Sequence, residues 1–353
     1  MRKIICFTDN LGSGGAQRQL VGLACMLKSR GYDVSVLLYY DTPFYKSQLD
    51  EAGVESVVVG NTSNPIKRLW ALYRYFRKQS CDTLISYQET PSLIASLFRP
   101  LLKWSKLIVS ERNTTQQLTK RDKLRFWLYR YADVIVPNSY SQADFICNNF
   151  VDLKSKVAPI TNFVDTDKFF PMKKRNRENE LVVVASNKAE KNFVKFIDAV
   201  AILRQRGVQI SASWYGLTQA DIVRCSNIVA EREVSDVVSL HLPSKNIQEV
   251  YRTADYFCLP SLFEGFPNVL CEAISCGLPV ACSRVCDNPY IVEYGENGYL
   301  FDPYDANSIA DAIENLVSMS DEEYNAISAK NRGKAEMIFS KDIFVKKYIA
   351  ILG

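Results

Sequence analysis

Short apolar runs alternate along this chain with longer segments whose apolar residues fall three and four apart, the spacing of a buried helix face. The first run, KIICFT, reads as a buried strand. A glycine-bearing loop, DNLGSGG, follows. Then comes AQRQLVGLACMLKSRG, with Leu20, Leu23, Ala24 and Leu27 on one helical face and Lys28, Arg30 and Gly31 as a stop signal. The alternation continues through strands DVSVLLYY, VESVVVG, DTLISYQ, KLIVSER and DVIVPNS. Helices are predicted over 66–79, after Pro91, and over 123–131. The polar, charged, proline-bearing stretch NFVDTDKFFPMKKRNRENE reads as a linker.

A second series follows. Its strands are LVVVAS, QISASWYG, VVSLHLP, DYFCLPS and PVACS, its helices fall over 192–206, 220–233 and 247–252, and the chain is helical from Asn307 onward. Strands joined by helices make a parallel sheet covered on both faces. The expected fold class is α/β, with two doubly wound, Rossmann-like domains facing across a cleft. Ligands of such sheets bind beyond the carboxyl ends of the strands, so the cleft is the expected site.

Composition narrows the class. A chain of 353 residues is comfortable for two domains and buries a core without cross-links. Ten cysteines include no C-x-x-C pair, and several sit in apolar runs, so buried free thiols fit better than a zinc site or a disulfide framework. That usage fits a reducing cytoplasm. The apolar run in MRKIICFTDNLGSGG is too short for a signal peptide, and no run approaches a membrane span.

The net charge of +4 is unevenly spread. Residues 61–130 hold 14 Lys and Arg against 4 Asp and Glu, a surplus of ten, so the remainder carries a net −6. The basic residues interleave with aromatics in KRLWALYRYFRKQ, FRPLLKWSKL and KLRFWLYRYAD. That pattern suits an anionic membrane surface, and the protein would then sit peripherally on its inner face. It also suits solvated amphipathic helices, and less well nucleic acid, which is not expected as a partner.

The stretch LPSLFEGFPNVLCEAISCGLPVACS, 259–283, carries the chemistry. DYFCLP is a strand, SLFEGF the loop at its carboxyl end, and Pro267 is placed as the first residue of a helix that stops at Gly277. The first amides of that helix would be unpaired and suit a phosphate. Glu264 lies just outside the terminus and Glu272 about one and a half turns inside. A diphosphate with hydroxyl-bearing groups at both ends, as in a nucleotide sugar, would use both carboxylates. Alternatively, Glu264 is a first-turn acid and Glu272 a solvated helix residue.

FEGFPNVLCEAISCGLPVACS resembles the signature of the retaining glycosyltransferases of family four, which have the GT-B fold. GSGGAQRQL is similar to their N-terminal glycine loop and helix, ITNFVD to their hinge segment, and VEYGENGYLFDPYD to the segment after the signature. The resemblance covers the whole chain. It implies an acceptor-side domain over 1–165, a nucleotide-sugar domain over 166–335, and a C-terminal helix over 336–353 packing back on the first domain. Glu264 would bind donor-sugar hydroxyls and Glu272 the ribose. The backbone of Phe266, Pro267, Asn268, Val269 and Leu270 would line the diphosphate. Lys191 matches a phosphate-binding lysine, and Gly14 and Gly15 would allow close approach of the N-terminal loop.

Two departures stand out. The family's glycine-arginine pair before the lysine is Ala185 and Ser186 here, and the histidine many members carry in the first domain is missing. The corresponding segment is VSERNTT, in which Arg112 or Asn113 would replace that histidine. Glu111 beside them is the candidate nucleophile of a covalent route, against same-face transfer in which the leaving phosphate takes the acceptor's proton. The only histidine, His241, is read as a structural residue or a neighbour of the nucleotide base. The expected reaction is transfer of a hexose or N-acetylhexosamine from a UDP-sugar to a glycan acceptor in glycan assembly, with no metal and no cofactor; the basic, aromatic segment over 61–130 motivates a lipid-linked acceptor, and an oligosaccharide is the alternative. The rivals are a nicotinamide-dependent oxidoreductase, disfavoured by Gln17 at the third fingerprint position, and a non-catalytic two-domain sugar-binding protein.

Overall fold

A computed structural model describes residues 2–115, 117–172 and 177–353. The strands are β1 (Lys3–Phe7), β2 (Asp33–Leu38), β3 (Glu55–Val58), β4 (Thr83–Tyr87), β5 (Lys106–Glu111), β6 (Val134–Pro137), β7 (Glu180–Val184), β8 (Ser211–Tyr215), β9 (Val238–His241), β10 (Tyr256–Leu259), β11 (Val280–Ser283) and β12 (Gly298–Phe301). The helices are α1 (Gly15–Ser29), α2 (Lys46–Glu51), α3 (Pro65–Lys78), α4 (Glu89–Phe98), α5 (Lys120–Leu128), α6 (Tyr140–Asn149), α7 (Phe193–Gln205), α8 (Gln219–Glu231), α9 (Ile247–Thr253), α10 (Asn268–Ser275), α11 (Asn288–Ile291), α12 (Ala306–Val317), α13 (Asp321–Ile338) and α14 (Lys341–Leu352). They divide into two compact units, Met1–Phe163 with Lys341–Gly353, and Val164–Ser340.

The first unit is a six-stranded parallel sheet in the order β3-β2-β1-β4-β5-β6. Alternation along β1 sends its side chains into two core layers. Ile4 and Cys6 pack with Leu20, Leu23 and Leu27 of α1 and with Phe344, Val345 and Tyr348 of α14. Ile5 and Phe7 pack with the inner residues of α3, α4 and α5. Helix α14 is also tied by its carbonyls: Arg2 donates to Leu352 O at 2.8 Å and Lys106 to Ile351 O at 2.8 Å.

The second unit repeats the plan in the order β12-β11-β10-β7-β8-β9. The order reverses at β7, whose neighbours are β8 and β10. At that switch the loops leaving β7 and β10 run side by side, which makes it the natural ligand position of such a sheet.

Several expectations shift. Helix α5 begins at Lys120 because Thr119 and Asp122 form a capping box. Helix α4 starts at Glu89, so Pro91 sits in its first turn, where no earlier helical carbonyl exists to clash with the ring. Elements α2, α6, α11 and β12 are too short or too weakly patterned to stand out by periodicity. The expected domain boundary at 335 falls inside α13, and the first unit ends at Phe163 rather than 165. The linker is partly core: Phe163, Val164 and Phe169 are buried, because their apolar side chains outweigh the charges around them. Residues 173–176 of that stretch lie outside the described residues.

Candidate functional site at the switch of the second sheet

Lys191 ends the loop after β7 and Glu264 sits in the loop after β10. The strand order brings them together across 73 residues of sequence: Lys191 Nζ lies 2.6 Å from Glu264 Oε1. Ser261 Oγ donates to the same oxygen at 2.6 Å. The Glu264 side chain is 9% exposed and that of Lys191 20%, so the pair is held in a mostly dry place with one edge open to water. Charge-assisted hydrogen bonds of this kind contribute about 1.5–3 kcal/mol each. Neither bond leads to a helix amide, so Glu264 does not act as a first-turn cap.

The loop is held by a residue the sequence reading missed. Asn192 adopts φ 61°, ψ 39°, a left-handed conformation that asparagine tolerates better than most residues. Its buried side-chain amide donates to Pro260 O at 3.0 Å and to Pro303 O at 2.7 Å, pinning the loops after β7, β10 and β12 together. Leu262 N–H donates to Glu190 O at 2.8 Å and adds a direct backbone tie. The signal was in the sequence, as the asparagine directly following Lys191 in NKAEKN. Nothing local, however, announces its partners.

Helix α10 begins one residue later than expected. Pro267 is its N-cap, with φ −80° and ψ 73°, and Asn268 is the first helical residue. The expectation of unpaired first amides is also corrected in part. Asn268 N–H turns back to Phe266 O at 2.9 Å, while Leu270 and Cys271 N–H both donate to Pro267 O at 3.1 Å. The helix ends on Gly277, whose φ of +75° lets Leu278 N–H reach Ala273 O at 3.1 Å. Phe266 is buried against Phe339, with ring centroids 6.2 Å apart, and Leu270 is wholly buried. These contacts fix the loop from both sides, with Val269 half-buried between them.

Glu272 is not a solvated helix residue: it is 5% exposed. The Tyr251 hydroxyl, itself buried, stands 3.5 Å from its Oε2. A carboxylate is not kept in such a position without strong polar partners. Cys286 lies close by, with its sulfur accepting from Glu264 N–H at 3.5 Å; burial pushes this thiol up. Ala185, which with Ser186 stands where the resemblance implies a glycine-arginine pair, is woven into the sheet. Its amide donates to Tyr215 O and its carbonyl accepts from Trp214 Nε1, both at 2.8 Å. His241 stacks on Tyr215 at 4.3 Å and 12°, and partial burial pushes its pKa down, so the ring is neutral at pH 7.

The remaining candidates belong to the first unit. Gly14 is the N-cap of α1 and Gly15 its first residue, at the carboxyl end of β1. A Cβ on Gly14 would meet only the end of the Gln17 side chain, Oε1 at 2.3 Å, which can swing aside, so packing by itself does not require glycine there. Glu111 is fully buried. It accepts from the Tyr129 hydroxyl and faces Arg125 Nη2 at 3.4 Å, and burial raises its pKa against the pull of both partners. Its carboxylate therefore has no exposed face for a substrate. Arg112 is buried too, lying over the Tyr87 ring at 4.1 Å and donating to Asn162 Oδ1 at 3.0 Å and to the Tyr348 hydroxyl of α14. Asn113 is exposed and reaches Glu89 Oε1 at 3.4 Å.

Two Rossmann-like units, each a doubly wound six-stranded parallel sheet, define the GT-B class. Anabaena Alr3699/HepE, solved in complex with UDP, superposes with a TM-score of 0.85 at 16% identity over 99% of both chains. The family described as Glycosyltransferase Family 4 matches residues 13–168, and Glycosyl transferases group 1 matches 164–334. The chain is 22% identical to the amylovoran biosynthesis glycosyltransferase AmsD of Erwinia amylovora over the full length of both. It is 24% identical to the N-acetylgalactosamine-N,N'-diacetylbacillosaminyl-diphospho-undecaprenol 4-alpha-N-acetylgalactosaminyltransferase of Campylobacter jejuni, over 80% of this chain and 81% of that enzyme. The chain belongs to the group 1, family-four-like glycosyltransferases. Glycosyl transfer thus displaces the oxidoreductase and the non-catalytic readings.

Proposed function

We propose that this enzyme moves a hexose or N-acetylhexosamine from a UDP-sugar to a lipid-linked glycan during surface polysaccharide assembly, with retention of anomeric configuration and without a metal. The observation that carries the reading is the Lys191–Glu264 pair at the switch of the second sheet, with Glu272 buried one and a half turns into the adjoining helix. In this reading Lys191 takes charge from the diphosphate as it leaves. Glu264 holds donor-sugar hydroxyls and Glu272 the ribose. The turn from Phe266 through Leu270 lines the phosphates, with Gly14 and Gly15 supplying a loop without side-chain bulk. Arg112, one of the two residues standing where the resemblance implies a histidine, orients the first-unit loop through Asn162 and Tyr348.

Of the two chemistries, same-face transfer is preferred, because Glu111 is enclosed by Arg125 and Tyr129. The neighbour HepE was solved with UDP and with UDP-glucose, and the Campylobacter relative acts on a diphospho-undecaprenol glycan; both support the donor and acceptor classes. The test is incubation of the enzyme with UDP-glucose, UDP-galactose and their N-acetylated forms plus a polyprenyl-diphosphate saccharide. Turnover is followed by UDP release, and the product anomer is read by NMR. An α-linked product from one α-configured UDP-sugar, unchanged by chelator, is expected. A β-linked product, or turnover only with GDP- or dTDP-sugars, would overturn the reading.

A further inference from the structure

The surplus of positive charge in residues 61–130 becomes a surface. Helices α3, α4 and α5 cover one face of the first sheet, because Leu72 and Phe76, Ile94 and Phe98, and Phe126 all enter the same core layer. They are neighbours: Tyr73 of α3 meets Phe98 of α4 edge-on at 5.6 Å, and α4 packs on α5. With their inner sides committed to the sheet, their outer sides form one continuous face.

That face is apolar where a soluble surface would be polar. Ile66 is 76% exposed and Trp70 59% on α3, Leu101 65% just after α4, and Trp127 48% on α5; Leu97 of α4 and Leu124 of α5 are exposed as well. An exposed patch of large side chains this extensive marks an interaction site. Its charge says what kind. Helix α3 carries Lys67, Arg68, Arg74, Arg77 and Lys78 and no acid. The one acid of α5, Asp122, is bound to Thr119 and Arg125. Arg74 lies over the Trp70 ring at 4.4 Å and Arg130 over Trp127 at 4.4 Å, so each exposed indole bears a guanidinium. Ile66, Trp70, Arg74 and Lys78 stand four residues apart and share one stripe. Beside it an open hollow of about 550 Å³ is lined by Gly60, Thr62, Ile66, Lys67, Trp70 and Ala71.

We infer that this three-helix face docks the first unit onto an anionic phospholipid bilayer. Indoles and aliphatic side chains enter the headgroup layer, and lysines and arginines lie against lipid phosphates. Tryptophan prefers that layer because one side of the ring is apolar while its N–H needs a polar partner. Basic side chains near an anionic leaflet add attraction that falls off within a Debye length, so binding is salt-dependent. No helix of the described residues is long and apolar enough to cross the membrane, so the contact is peripheral where it occurs. Nucleic acid would use the charges but not the aliphatic residues between them.

The test uses the full chain with vesicles of phosphatidylcholine alone or with about one-third phosphatidylglycerol, read by co-sedimentation and by quenching of tryptophan fluorescence with brominated lipid. Binding to the anionic vesicles is expected, at least about tenfold stronger than to the neutral ones and weakening with salt. Ile66→Ser with Trp70→Ser, and separately Trp127→Ser, should each lower partitioning about tenfold or more with unchanged circular dichroism and melting. Val223→Ser, an exposed apolar residue of the second unit, should change nothing. Sedimentation with neutral and anionic vesicles alike, no sedimentation at low salt, or face variants that bind as wild type would each overturn the inference. None of these readouts depends on sugar transfer, so the donor reading stands or falls separately.

Discussion

Replacing Glu264 by glutamine keeps the shape and removes the charge. In the native site Oε1 accepts from Lys191 and Ser261, both at 2.6 Å. Glutamine can still accept both, and the lysine's own charge keeps that bond charge-assisted, but the ion pair is lost at a cost to the resting enzyme of about 1 kcal/mol or less. The other oxygen becomes an NH2 group, so an acceptor for donor-sugar hydroxyls turns into a donor. In the transition state that loses about 1.5–3 kcal/mol, the worth of a hydrogen bond to a charged acceptor. That loss lowers kcat/KM by roughly 10- to 100-fold, at about 1.4 kcal/mol per factor of ten.

Affinity for UDP alone should move the other way or stay level. Lys191, relieved of its carboxylate, keeps its full charge for a phosphate. Because Lys191 remains partly open to water, global stability should change by about 1 kcal/mol or less. The assay is UDP release for turnover and calorimetric titration of UDP for affinity, on the same preparation. Wild-type turnover, or a fall in UDP affinity matching the fall in kcat/KM, would refute the argument that Glu264 reads the sugar and Lys191 the phosphate.

Asn192→Ala should cost about 2–3 kcal/mol in urea unfolding, because two buried carbonyls lose their donor and alanine resists the left-handed backbone. Asn192→Gly should recover part of that loss, and equal losses would show that backbone conformation contributes nothing. Gly216→Ala places a Cβ 2.7 Å from Ala185 O at φ +113°, so a loss of about 1–3 kcal/mol in thermal melting is expected; an unchanged Tm would be incompatible with that contact. For Glu111, burial raises the folded pKa, so the native state keeps a proton the unfolded chain releases. Its stabilising contribution is therefore present at low pH and is lost as pH rises from the ordinary glutamate range through the folded value. The stability of wild type relative to Glu111→Gln should accordingly fall as pH rises above the ordinary glutamate range. A difference that grows with pH would mean that the Arg125 ion pair outweighs burial.

Much of the site was legible locally. A strand, a loop, a proline and an apolar helix can be read along 256–277, because helix and strand periods and the preferences of proline and glycine act over a few residues. The one-residue shift at Pro267 arose because the residues before it fold into a turn that claims the Asn268 amide, a detail of backbone path rather than of composition. Glu264 was a candidate from the chain's own local pattern, and Lys191 from the resemblance to the family.

What the chain did not disclose was company. That Lys191 and Glu264 touch depends on β10 lying beside β7 rather than beside β9, a choice made by how whole helices cover the sheet. Arg112 finds Tyr348, 236 residues away, only because α14 packs in the first unit. Glu111 was a plausible nucleophile as a letter and is an enclosed partner of Arg125 and Tyr129 as a side chain. Periodicity records which side of an element faces inward, and so determined the elements and the basic, aromatic face. Which buried charges meet is decided by contacts between residues far apart in sequence, and these exist only once both sheets have formed.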